Sequence, residues 1–183
     1  MSYFEDYDKT DPISIENYAQ NLIGKSFQDI VDEEQKRLRM VYEASSYGVA
    51  EVSEGKRNKG NLGQIIEECF FHYACNNDAR PDFAEAGVEL KVTPYKVGTK
   101  GKISAKERLI LTMIDYFAVV DEEFETSHLW NKARLILLIY YLYEKEKPIN
   151  LDYRIDYAKL FTPPEQDVKI IKHDFEVIVE KIR

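Results

Sequence analysis

Cysteine is scarce in this 183-residue chain, with two in all, Cys69 and Cys75. Both fall in one predicted helix, where a spacing of six puts them on nearly opposite faces, so they cannot bridge each other there. Core packing is the expected role, and a reducing cytosol the expected location. Long apolar runs are also missing. The longest, Leu135 to Leu142, is too short to cross a bilayer. Positive charge is in deficit: Lys and Arg number 25 against 33 Asp and Glu, a net charge of −8. That total argues against a general polyanion binder, yet the charge is unevenly spread. The N-terminal arm (Glu5, Asp6, Asp8, Asp11) and the Asp121 to Glu125 cluster are acidic. Lys56-Arg57-Asn58-Lys59 is basic, and so is the series Lys91, Lys96, Lys100, Lys102, Lys106, Arg108. A local cationic surface matters more for phosphate binding than the sum does.

What the chain does have is enough apolar material for one domain. The hydrophobic fraction is 44%, the charged fraction 32%, and 13 residues are tyrosine. Ser14 is the expected cap of a short helix to about Ile23, stopped by Gly24. Ser26 is expected to open a second helix to about Arg39. Residues 44–61 are rich in Ser, Gly and charge and read as a loop. Leu62, Ile65, Ile66, Cys69, Phe70 and Tyr73 recur at helical spacing, predicting a helix from Leu62 to Cys75. A strand from Gly87, a polar loop from Val97 to Lys102 and a second apolar run from Arg108 to Phe117 follow. Leu135 to Tyr143 reads as a buried strand and Tyr153 to Phe161 as a weaker one. Pro163-Pro164 introduces a last helix with Val168, Ile171, Phe175, Ile178 and Ile182 on one stripe. Helices, strands and a helix around one mixed sheet give an α/β or α+β fold.

The densest chemistry lies in Asp82-Phe83-Ala84-Glu85-Ala86-Gly87-Val88-Glu89-Leu90-Lys91. Side chains alternate along a strand, so Glu89 and Lys91 share a face while Val88, Leu90 and Val92 take the other and suit a core. Asp82 must be brought back to them. Seven extended residues span roughly 23–25 Å, so Ala84 to Gly87 must turn the chain, with Gly87 supplying the unusual backbone angles. Two carboxylates and an ammonium at one point suit a metal and a water. Magnesium takes carboxylate oxygens and keeps several waters, and Lys91 can orient a water or steady developing negative charge. Upstream, Gly60 and Gly63 allow a close backbone approach, and Glu67 and Glu68 lie amid apolar neighbours; composition alone favours a solvated edge for both, and one facing inward would need a metal or Lys91 as partner.

Three blocks in this order carry a family resemblance: Lys59-Gly-x-x-Gly63-x-x-x-Glu67, Asp82-x6-Glu89-Leu90-Lys91-x-x-Pro94, and Glu125-Thr126-Ser127-His128. Together they resemble the MutH mismatch-repair endonucleases, and still more the GATC-cutting type II restriction endonucleases related to them. The resemblance implies a restriction-endonuclease-like fold, a mixed central sheet flanked by helices. It implies hydrolysis of double-stranded DNA that depends on Mg²⁺, with Mn²⁺ as a substitute, leaving 5′-phosphate and 3′-hydroxyl ends. Asp82, Glu89 and Glu67 would be metal ligands with the Leu90 carbonyl as a further one, and Lys91 the catalytic lysine. Lys56, Arg57, Lys59, Lys96, Lys100, Lys102 and His128 are the expected DNA contacts. Residues 1–183 would form a single catalytic domain, truncated at its C-terminal side, which a degenerate allosteric DNA-binding copy of the fold follows in the restriction branch. An inactive regulatory copy of the fold is the alternative; the intact Asp82, Glu89 and Lys91 speak against it.

Overall fold

The computed structural model describes residues 6–44, 62–73, 79–145 and 150–183. Helix α1 (Pro12–Ala19) is capped by Asp11, whose carboxylate accepts the N–H groups of Ile13 and Ser14 at 3.0 and 3.2 Å. Ser14 was the expected cap. Pro12 lacks an N–H and is preorganised for the first helical position, so the cap falls one residue before it. Ser14 lies inside the helix instead, and its Oγ accepts the Asp8 N–H at 2.8 Å. Gly24, at φ +87°, ends this region as expected. Helix α2 (Phe27–Ala44) starts on a reciprocal pair: the Ser26 N–H donates to Asp29 at 2.8 Å and the Asp29 N–H to Ser26 Oγ at 3.1 Å. It runs five residues past Arg39, because no Gly or Pro intervenes.

Helix α3 (Leu62–Ile65) widens into a π-helical turn (Ile66–Phe70) and stops there, short of Cys75. Its end is closed from behind. The Phe71 N–H donates to the Ile66 carbonyl at 3.0 Å and the Tyr73 N–H to the Glu67 carbonyl at 3.1 Å, with His72 between them at φ +58°. A left-handed residue at this point satisfies the orphan carbonyls of a helix end. Cys75 and the 45–61 loop lie outside the described residues.

Strands β1 (Glu89–Val97), β2 (Ile103–Ala105), β3 (Ile136–Leu142) and β4 (Ile155–Phe161) form one mixed sheet in the order β2-β1-β3-β4. β1 and β3 are parallel, and the outer pairs are antiparallel. The connection from β1 to β3 contains helix α4 (His128–Ala133), and helix α5 (Glu165–Ile182) follows β4. One sheet face packs on α1, α2 and α3: Val88, Leu90, Leu137 and Ile139 meet Ile15, Phe27, Ile30 and Ile66. Phe71 is fully buried there, its ring 5.0 Å from those of Phe70 and Phe83. A smaller core joins Val119 and Phe124 to Phe175 and Val179 of α5. Val168, Ile171 and Ile182 pack against it as expected, whereas Ile178 is exposed and Val179 takes the buried place. The apolar run 108–117 contributes no regular element, and Met113 and Phe117 stand 85% and 91% exposed. Among the described residues no helix is long and apolar enough to cross a membrane.

Truncating Phe71 to Ala removes the ring at the centre of this aromatic cluster. The expected destabilisation is about 3–5 kcal/mol, while Phe117→Ala stays within roughly 0.5 kcal/mol. Urea unfolding of both variants checks the contrast; equal midpoints would refute the placement of the core.

Candidate active site

The carboxylates meet because the chain doubles back where the glycine permits it. Phe83 and Val88 exchange two backbone hydrogen bonds, of 2.9 and 3.2 Å, closing the Ala84–Gly87 turn with Gly87 at φ +67°. Asp82 is thereby laid beside the start of β1, where its Oδ2 accepts the Leu90 N–H at 2.8 Å. The Glu89 N–H donates to the Leu135 carbonyl at 3.0 Å, which fixes the other edge of the strand. Two residues seven apart in sequence thus share one site.

Glu89 is 1% exposed, buried within the fold and not on its surface. Alternation along β1 puts Lys91 on the same face, and its Nζ lies 2.8 Å from Glu89 Oε1. The second cation is Lys132 of α4, 3.4 Å from both Glu89 oxygens. Oε2 of Glu89 makes no hydrogen bond and is shut off from solvent. Asp82 is affected by this crowding: burial first, and the Glu89 charge second, push its carboxyl above the ordinary 3.8, against the Leu90 N–H and the two lysines, which pull it down.

Lys132 is the site residue that sequence reasoning missed. It lies 43 positions from its partner, and only its place on the helix following Glu-Thr-Ser-His could have drawn notice. That motif aims it. Ser127, fully buried, caps α4 by accepting the Trp130 N–H at 3.1 Å and donates its own hydroxyl to the Phe124 carbonyl at 2.7 Å. Glu125 pairs with Lys172 of α5, which holds its carboxyl below the usual range. His128 is exposed and paired with Glu122, one helical turn from Lys132. A cleft of about 660 Å³ lined by His128, Leu129, Lys132, Ile114 and Phe175 opens alongside.

The remaining predicted residues are more scattered. Glu67 lies half-buried in the π-helical turn of α3. Among the described residues no group of three His, Cys, Asp or Glu side chains is arranged to hold a metal ion. The Leu90 side chain belongs to the core. Lys96, Lys100 and Lys102 are exposed at the far end of β1, seven or more residues or roughly 23 Å from Glu89, and do not converge on the site. Lys56, Arg57 and Lys59 lie outside the described residues.

Known DNA enzymes are similar to this chain in sequence. The family model described as "DNA mismatch repair enzyme MutH" matches residues 71–174, more than half of the chain. The type II restriction enzyme Sau3AI of Staphylococcus aureus is 40% identical over 145 residues, which cover 76% of this chain and 29% of that protein. The DNA mismatch repair protein MutH of Vibrio campbellii is 28% identical over 166 residues, 90% of this chain and 64% of that one. Its counterpart in Vibrio vulnificus is 31% identical over 129 residues, 69% and 53% respectively. The chain therefore spans less than two thirds of each of these relatives. The family match includes Asp82, Glu89, Lys91, Lys132 and the Glu-Thr-Ser-His turn, all on a mixed sheet flanked by helices. On its sequence and on its restriction-endonuclease-like architecture, the chain belongs to the MutH family.

Proposed function

We propose that the chain is the catalytic part of a Mg²⁺-dependent endonuclease that hydrolyses phosphodiester bonds in double-stranded DNA, of the type II restriction kind and acting at GATC. The observation that carries the reading is the buried Glu89 carboxylate with Asp82 beside it and two lysines on it. Such a group is costly to bury unless it is compensated, and Oε2 of Glu89 is left without a hydrogen bond. A hard cation suits that oxygen. Asp82, Glu89 and the Leu90 carbonyl would hold it, with waters completing the coordination that magnesium prefers. Glu67, in the π-helical turn of α3, would complete the set. When bound, the metal supplies Lewis-acid polarisation of the phosphodiester and acidifies water.

The side chains supply the rest. Glu89 holds Lys91 where its ammonium can donate to a phosphoryl oxygen and stabilise the charge that builds up on attack. Lys132 shares the Glu89 charge, so Lys91 does not carry it alone. Asp82 is oriented by the Leu90 N–H rather than by a side chain, so its aim is as rigid as the strand.

Cleavage of plasmid DNA carrying GATC sites in Mg²⁺ tests the assignment. Lys91→Ala is expected to lower the rate by about 10²-fold or more with DNA binding retained. Full activity in that variant would reject Lys91. Binding of DNA by the wild type without cleavage in Mg²⁺ or Mn²⁺ would favour the inactive regulatory copy.

The raised pKa of Asp82 also predicts a pH dependence of stability. Between its ordinary value and its folded value, the folded protein binds more protons than the unfolded chain, so stability falls as pH rises through that window. The penalty is fully present above the folded value. Asp82→Asn removes the charge and keeps an oxygen for the Leu90 N–H. In chelator at pH 7 this variant should melt above the wild type, with the gap closing as pH falls toward 3.8. Added Mg²⁺ should stabilise the wild type and not the variant. Equal melting points at pH 7 would show that Asp82 is not strained by its surroundings.

A further inference from the structure

Resting on the nuclease reading, we propose that Arg134 is a substrate-contacting residue that grips a backbone phosphate next to the scissile one. The first observation is its seat. Arg134 ends α4, its N–H donating to the Trp130 carbonyl at 2.9 Å. Its guanidinium lies against the Asp82-bearing turn: a Cβ placed on Gly87 would stand 2.6 Å from Nη2 and 3.4 Å from Cζ. Gly87 therefore does two things. It supplies the positive φ, and it leaves the space into which the arginine fits.

The second observation is charge. The site holds two carboxylates, Asp82 and Glu89, and two lysines, Lys91 and Lys132, both engaged on Glu89. These balance one another. Arg134 is exposed, and among the described residues its side chain has neither an ion pair nor a hydrogen bond. It is thus an uncommitted cation, among the described residues, at the edge of an otherwise neutralised cluster. DNA brings one negative charge per nucleotide. A guanidinium presents five donors in a planar fork that matches two phosphate oxygens. The same short segment, from Lys132 to Leu135, touches Glu89 by side chain and by backbone. A phosphate held by Arg134 is therefore registered against the carboxylates by rigid structure and not by a loose surface arm.

The test is equilibrium binding of a fluorescent duplex in chelator, measured across a range of salt. Wild type, Arg134→Gln, Arg134→Lys and Lys169→Ala are compared; Lys169 is an exposed α5 lysine paired with Glu165. Arg134→Gln is expected to weaken binding roughly tenfold and to reduce the slope of log affinity against log salt by about one. Arg134→Lys should keep the wild-type slope and lose part of the affinity, because the charge stays and the fork is gone. Lys169→Ala should match the wild type. A wild-type slope in Arg134→Gln overturns the proposal whether or not its affinity drops, since a loss through a disturbed turn leaves counterion release unchanged. If Arg134→Gln does not fold, Arg134→Lys decides: affinity equal to the wild type overturns the bidentate grip. Absence of any duplex binding by the wild type brings down the nuclease reading itself, and this inference with it.

Discussion

The carboxylate of Glu89, closed off inside the fold, is the constraint to which the other parts of the site answer. A buried charge with no partner is strongly destabilising, so its neighbours must be placed to offset it. Lys91 comes from two residues along the same strand and Lys132 from a helix 43 positions away. Asp82 is pressed against the same group by a turn that one left-handed glycine closes. The charges come close to balance, and Oε2 of Glu89 has the Lys132 ammonium 3.4 Å away but no hydrogen bond. A site so arranged is compact, and its charges are held by backbone geometry.

Parallel pairing of β1 with β3 makes this possible. Two parallel strands cannot be joined by a tight turn and need a long crossover. Here the crossover returns through α4, so the start of β3 and the start of β1 lie side by side at one end of the sheet. Residues on the approach to β3 are thereby delivered to the beginning of β1. The short α4 would frustrate precise delivery if its first turn frayed. The buried Ser127 cap prevents that, and the bond from Glu125 to Lys172 ties the same turn to α5. The Glu-Thr-Ser-His block thus contributes to the site by setting the helix that carries Lys132, while its histidine faces outward.

The net charge of −8 describes the surface as a whole and says little about the site. Acidic side chains are spread along α2, α5 and the 121–125 segment, where solvent screens them. The cations that count are few and are fixed by backbone geometry. The exposed lysines at the distal end of β1 share their sign with the site and not its location.

Periodicity determined much by itself. A period of two put Glu89 and Lys91 together and sent Val88 and Leu90 to the core. The distance from Asp82 to Glu89 forced a turn, and Gly87 marked where it would close. The strands at 136–142 and 155–161 and the stripe on α5 were legible for the same reason: a buried face imposes a local pattern. Local competition blurred other points. Pro12 took the first helical position and moved the cap from Ser14 to Asp11, and the left-handed His72 ended α3 before Cys75. The apolar letters of 108–117 carried no period, and most of them remain on the surface. Only the tertiary structure decided that Lys132 meets Glu89 and that Arg134 lies on Gly87. Those placements depend on how a crossover packs against a sheet, and contacts between residues dozens of positions apart leave no mark in the spacing of either.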